Sequence, residues 1–256
     1  LPRLNMKYNP TEKMAIRFSA GKAFRVANVF VENASFLASN REISVGNLNP
    51  EIAWNYGANI TYCFYLFGRE GTINADAYRT DFENQIVVDI ENQNELSFYN
   101  LEGESYATSM QLDFAYELFD RFDVKMAYKI NDVKSTYDDE GIKETPLTPK
   151  DRALLNLAYA TNFDKWIFDV TANYIGESRI PDHEDISNNF SDPFYLYNAQ
   201  ITKKFRKFDV YVGGENLLSY TQDNPILDAS SAFDASLIYA PINGRMIYAG
   251  FRFKIK

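Results

Sequence analysis

Apolar and polar side chains alternate with a period of two along most of the chain. Over residues 106–118, Tyr106, Thr108, Met110, Leu112, Phe114, Tyr116 and Leu118 share one face, while Ala107, Ser109, Gln111, Asp113, Ala115 and Glu117 share the other. Residues 124–131 repeat the pattern, with Val124, Met126, Tyr128 and Ile130 against Lys125, Ala127, Lys129 and Asn131. The same parity runs through 54–66 and 166–174. A helix would bring residues three and four apart together and mix charge into each apolar stripe, whereas a strand keeps the two sets apart. The pattern predicts eleven strands, over 3–8, 13–22, 52–67, 70–82, 104–119, 122–133, 151–161, 165–176, 195–205, 208–216 and 245–256.

Strand length narrows the class. Many of these segments reach ten residues. A strand of a water-soluble domain averages about 5–6 residues, and a tilted strand crossing a bilayer needs about 9–11. The connections alternate between short and long. Asn9-Pro10-Thr11-Glu12, Phe67-Gly68-Arg69-Glu70, Phe119-Asp120-Arg121-Phe122, Asn162-Phe163-Asp164-Lys165 and Phe205-Arg206-Lys207-Phe208 are short, while 23–51, 83–103, 134–150, 177–194 and 217–244 are long and polar. Up-and-down strands put alternate connections on the same side, so short turns lie on one side and long loops on the other, as in outer-membrane barrels. Tyr8, Phe67, Phe119, Phe122, Phe163, Trp166, Phe205 and Phe208 cluster beside the short turns, where an interfacial aromatic girdle is expected. The fold class predicted is all-β, an antiparallel up-and-down transmembrane β-barrel with short periplasmic turns and long extracellular loops. Its charged faces line the lumen.

Composition agrees with this and removes other classes. Lys+Arg is 26 and Asp+Glu is 35 among 256 residues, a formal charge of −9, which lacks the basic excess that a nucleic-acid partner requires. One cysteine, Cys63, predicted to face the lumen, leaves no intrachain disulfide and no cysteine-based zinc site. The longest dense apolar run, 62–67, falls far short of the roughly 18 residues of a membrane helix. A mean hydropathy of −0.36 still suits a membrane barrel, because only alternate strand residues face lipid.

Eleven is an odd count, and single-chain bacterial barrels have even numbers of strands. An isolated arc would leave two edges unpaired in lipid. The chain also opens Leu1-Pro2-Arg3, without an initiator Met or a signal-peptide pattern. Residues 1–256 are therefore expected to be the C-terminal part of a larger barrel.

Several motifs strengthen this expectation. They are Pro2-Arg3-Leu4-Asn5 with Lys7-Tyr8, Gly21-Lys22-Ala23-Phe24-Arg25, Gly46-Asn47-Leu48-Asn49-Pro50-Glu51, Tyr78-Arg79-Thr80-Asp81-Phe82-Glu83-Asn84-Gln85, Gly214-Glu215-Asn216-Leu217, and Gly244-Arg245 through Phe253. In these the chain resembles the C-terminal half of a TonB-dependent outer-membrane receptor of the type common in Bacteroidetes. The resemblance implies a barrel of roughly 22 strands with a plugged lumen, in which the N-terminal strands and plug domain precede these residues. It implies energised uptake of a scarce ligand across the outer membrane of a Gram-negative bacterium, the ligand being a ferric siderophore or another metal chelate such as cobalamin. The partners implied are the TonB complex, the receptor's own plug domain in the lumen, outer-membrane lipid and lipopolysaccharide, and the metal chelate. The chain ends Phe253-Lys254-Ile255-Lys256, without the terminal aromatic usual in that family.

Candidate chemistry is sparse. The chain has no Gly-rich phosphate loop, no nucleophile with a nearby base and no metal-ligand spacing, so no enzyme, catalytic residue, metal site or cofactor is predicted. Arg25, Arg79 and Arg179 fall near the outer rim, where arginine and aromatic rings suit an anionic aromatic ligand. The single histidine, His183, lies in Pro181-Asp182-His183-Glu184-Asp185 and is a candidate for contact with a cation or a metal-bearing ligand. Asp138-Asp139-Glu140 reads as a solvated loop or as a bridge to lipopolysaccharide cations. Three alternatives stand beside the importer: a passive porin, a soluble β-rich binding module, and a lipid-cleaving barrel enzyme, which would need a Ser–His or Asp–His set at the outer rim.

Overall fold

The computed structural model describes residues 1–34, 36–37, 41–92, 94–137, 141–181, 189–223, 225 and 238–253. His183 and the 138–140 acidic run lie outside the described residues. Eleven long strands follow one another in chain order: β1 (Arg3–Thr11), β2 (Met14–Arg25), β4 (Glu51–Leu66), β5 (Arg69–Phe82), β8 (Ser105–Phe119), β9 (Phe122–Tyr137), β11 (Asp151–Ala160), β12 (Trp166–Ile175), β13 (Phe194–Lys204), β14 (Phe208–Glu215) and β15 (Met246–Phe253). Each pairs antiparallel with the next, giving the order β1-β2-β4-β5-β8-β9-β11-β12-β13-β14-β15. β10 (Gly141–Glu144) folds back on the upper end of β9. The sheet is open, an arc of an up-and-down barrel, with β1 and β15 paired on one side only.

Register carries the period-two pattern from strand to strand. Leu112 lies opposite Ala75 on β5 and Tyr128 on β9, and Phe114 lies opposite Ile73 and Met126. On the other face, Gln111 lies opposite Asp76 and Lys129. A slip of one residue would exchange the two sets, so the ladder and the pattern fix each other.

The apolar face stays uncovered. Met110 and Leu112 are each 54% exposed, Ile130 48% and Phe251 75%. A contiguous greasy wall of this kind is not a water-soluble surface, and it disfavours the soluble-module alternative. Hydrocarbon is the solvent it matches. No helix among the described residues is long and apolar enough to cross a membrane.

The short connections are tight. Phe67 (φ 49°) and Gly68 (φ 81°) are both left-handed, the backbone of a two-residue hairpin whose twist matches that of its strands. Beside these turns the predicted girdle forms. The Phe119 and Phe122 ring centroids are 5.2 Å apart and those of Phe205 and Phe208 4.6 Å. The Lys203 ammonium lies 4.7 Å from the Trp166 ring and 5.1 Å from that of Phe205.

The long loops depart from the expectation of plain polar connections. Residues from 23–51 and 83–103 build a second structure, with α1 (Val29–Glu32), β3 (Glu42–Val45), β6 (Ile86–Asp89) and β7 (Glu95–Asn100). These strands form a small sheet in the order β3-β7-β6, with β3 parallel and β6 antiparallel to β7. Val29, Ile86, Ile90, Leu96 and Phe98 pack together beneath it, and Val87, Leu101 and Tyr137 form a second cluster. A wall with an apolar outer face and a polar inner face encloses no apolar core of its own, and among the described residues the buried apolar clusters centre on this loop layer.

The face assignment predicts unequal costs for a charge on adjacent residues. Leu112→Arg in the full-length protein should cost about 2–4 kcal/mol of bilayer-folded stability. Gln111→Arg, on the wet face, should cost much less. Urea titration in lipid vesicles measures both, and equal losses would contradict the assignment.

Candidate functional site

The end of the wall that carries the long loops gathers most of the buried polar chemistry. Glu51 opens β4 and is buried, and its two carboxylate oxygens divide their work. Oε2 accepts from Arg25 Nε at 2.5 Å, and Oε1 accepts the backbone N–H of Ile86 at 2.9 Å. One carboxylate thus ties the upper ends of β2 and β4 to the small sheet. Arg25 also meets Glu32 of α1 at 3.0 Å and keeps much of its side chain exposed. Asn49, two residues before Glu51, donates its N–H to Asn100 Oδ1 at 2.6 Å, and Asn100 Nδ2 donates back to the Asn49 carbonyl at 3.1 Å. The Asn-Pro-Glu motif therefore works as the dock for the loop sheet.

Arg179 occupies a different position. It is buried and forms an ion pair with the half-buried Glu91, so two of the long loops meet there. Its Nε donates to the Glu144 carbonyl at 2.6 Å, which adds a third loop, and its guanidinium lies 5.4 Å from the Tyr137 ring centroid. Burial disfavours the charge on Arg179, but the hydrogen bond to Glu91 and the charge on Glu91 more than offset this, so its pKa is raised. Burial also pushes the Tyr137 phenol up to about 12.

Arg79 faces outward. It shares parity with Ile73, Ala75 and Ala77 on the apolar side of β5, above the greasiest rows. Its Nε donates to Asp81 at 2.8 Å, and its guanidinium lies 4.2 Å from the Tyr106 ring centroid. The phenols of Tyr56, Tyr106 and Tyr128 donate to Asp81 (2.7 Å), Asp132 (3.1 Å) and Asp151 (2.7 Å). This band of phenols and carboxylates forms the upper interface of the outer wall, where amphipathic rings sit at headgroup level. The three rim arginines thus lie apart, on the inner mouth (Arg25), the outer face (Arg79) and within the loop layer (Arg179).

The inner face is a hydrogen-bonded polar surface. Arg17 donates to Asn59 Oδ1 at 3.0 Å, and Asn59 donates to Asp76 at 2.8 Å. Asn156 reaches Asp169 at 3.0 Å and Thr171 at 2.9 Å, and Tyr248 donates to Gln200 at 3.1 Å. By its register against Thr72, Cys63 belongs to this face, and it is a free thiol. At the last loop, Asn216 (φ 49°) accepts from the Tyr220 N–H at 2.9 Å and donates to the Tyr220 carbonyl at 2.6 Å, so this motif residue closes a turn. Among the described residues no group of three or more His, Cys, Asp or Glu could hold a metal ion.

Sequence reasoning missed Glu51, Glu91 and Asn100 as organisers of the loop layer. The signal for Asn100 lay in the alternation of Leu96 and Phe98, which marks β7 as a half-buried strand. Glu91 carried no local signal. Loss of the Glu51 carboxylate should release the sheet without touching the wall. In Glu51→Ala, amide hydrogen exchange at residues 86–89 should accelerate by at least tenfold, as expected for losing about 1–3 kcal/mol of satisfied buried polar contact, while β8 and β9 keep their protection.

Comparison with known proteins follows the same architecture. The family described as TonB dependent receptor-like, beta-barrel, matches residues 1–217. No curated protein sequence matches the chain. Among solved structures, the copper transporter OprC superposes with a TM-score of 0.75 at 13% identity, covering 99% of this chain and 39% of its own. The Pseudomonas aeruginosa ferric enterobactin receptor PfeA, a Q482A mutant in complex with enterobactin, gives 0.71 at 15% identity, covering 98% and 40%. The ferric-catecholate import receptor Fiu from Escherichia coli K12 gives 0.66 at 16% identity, covering 97% and 34%. The chain spans 34–40% of the length of these structures, and at such identities the likeness concerns the fold alone. The family match over most of the sequence, on a wall of this topology, assigns the chain: it belongs to the family of TonB-dependent receptor β-barrels.

Proposed function

We propose that the chain is the C-terminal arc of an outer-membrane receptor that takes up a scarce metal chelate by TonB-dependent transport. The observation that carries the reading is the division of surfaces: a lipid-matched outer wall, a polar inner wall, and a folded extracellular layer over the loop end. A passive pore needs the first two only. The ordered layer, fastened to the wall through Glu51 and knit together through Arg179, supports a receptor that recognises its cargo at the mouth.

In this reading the rest of the barrel and a plug domain complete the receptor. The plug meets the inner wall, and the TonB complex acts on the plug from the periplasmic side. The cargo is a ferric siderophore or a related chelate such as cobalamin, a class supported by the iron and copper transporters of like fold. Arg25, at the inner mouth with an exposed guanidinium, is the rim residue best disposed to meet an anionic ligand. Arg179 braces the loops behind it. Arg79 meets lipid headgroups and lipopolysaccharide on the outer face. His183, in the sequence of the 177–194 loop, is retained as a candidate contact with the cargo.

Uptake by cells expressing the full-length receptor tests the reading, with ferric enterobactin, ferric citrate, cyanocobalamin and cupric ion as probes. At least one should accumulate against its gradient, and accumulation should fall by tenfold or more when the proton gradient is collapsed or TonB is deleted. Uptake indifferent to both would identify a passive pore. For the probe that accumulates, Arg25→Gln should weaken binding by about tenfold, the scale of one charged hydrogen bond, while Arg79→Gln should leave it unchanged.

A further inference from the structure

Lys129 of β9 and Arg152 of β11 are direct cross-strand partners on the inner face. Like charges directly opposite each other destabilise a strand pair. The next cation along β11 is matched: Lys150, two residues before Arg152, binds Glu177 at 2.7 Å and Glu144 at 3.5 Å. Among the described residues, the Lys129 ammonium and the Arg152 guanidinium have neither an ion pair nor a side-chain hydrogen bond. On β8, Asp113 is held by Gln111, whose amide donates to both of its oxygens at 2.9 and 3.1 Å.

The two cations line a groove of about 440 Å³. Ala127 also lines it, and Leu154, Ile175 and Leu196 give it aliphatic surface, with Asn173 between Leu154 and Leu196 in register. That volume lies within the range of small-molecule sites, about 300–1,000 Å³. The composition is amphipathic: a guanidinium able to hold a carboxylate in two parallel hydrogen bonds, an ammonium beside it, and apolar surface next to both. A bare inorganic anion would leave the aliphatic side in water.

We propose that Lys129 and Arg152 form a subsite for a small organic anion, a carboxylate carried on an apolar body. The inference rests on the import reading, in which this wall faces the route of the cargo. It names a further station on that route. The anion removes the like-charge repulsion, and its apolar body covers Leu154, Ile175 and Leu196.

The test uses the purified full-length receptor in detergent, with 4-fluorobenzoate as probe and its fluorine NMR line as readout. Wild type should broaden the line saturably, and neutral 4-fluorotoluene should not compete. Lys129→Gln/Arg152→Gln should weaken binding by tenfold or more, and Lys125→Gln, on the same face of β9, should leave it intact. Arg152→Gln alone serves where the double variant fails to assemble, and it should still weaken binding several-fold. Equal binding by the variants, or no saturable binding by wild type, overturns the proposal. A fall in melting temperature of the double variant, together with no probe binding by wild type, assigns the pair to a carboxylate of the polypeptide and also overturns it. Energised uptake with no probe binding removes the subsite alone. Probe binding with uptake indifferent to the proton gradient removes the import reading alone.

Discussion

The backbone hydrogen-bond ladder is the constraint on which the rest depends. In hydrocarbon no water is present to satisfy an N–H or a C=O, so each strand of the wall must find its partners in its neighbours. Antiparallel pairing of consecutive strands meets that demand with the shortest connections. It then fixes which residues share a face, because register and parity are one property. The greasy outside and wet inside follow from this, as does the exclusion of charge from the rows around Leu112 and Phe114.

A wall stabilised in this way has little need of a core, and most of the buried apolar residues among those described lie in the loops. Two loops that look like surface connections contribute α1, β3, β6 and β7 to a layer packed around Leu96 and Phe98. The layer rests on polar attachments, Glu51 to the Ile86 amide and Asn49 to Asn100, rather than on continuous strand pairing with the wall. The molecule therefore combines two kinds of stability. The wall draws its stability from lipid and the ladder, and the loop layer from desolvated side chains in water.

This division explains what was legible in the sequence. Each wall strand was visible because its period of two extends over eight to sixteen residues, and all eleven appear in chain order. Boundaries slipped where a strand continues above the membrane: β2 runs on to Arg25 and β9 to Tyr137, past the point where alternation loses its apolar half. The small sheet was missed because its strands have four to six residues, and β3 pairs with β7 about fifty residues away, which no local window reads. The rim arginines looked equivalent because proximity to a loop says nothing about facing. Parity alone would have assigned Arg79 to the outer side, since it lies an even number of residues from Ile73. The burial of Arg179 depends on Glu91, a partner 88 residues distant, and no sequence spacing announces it.

The parallel pairing of β3 with β7 has a consequence for how such a mouth changes over generations. Surface loops ordinarily drift in length and composition one at a time. Here Glu42–Val45 and Glu95–Phe98 share a ladder, and Leu96 and Phe98 fill the space under both. A deletion in either loop would strand the other's edge. Variation is thereby steered toward the stretches between these anchors, and the two loops inherit change as a couple.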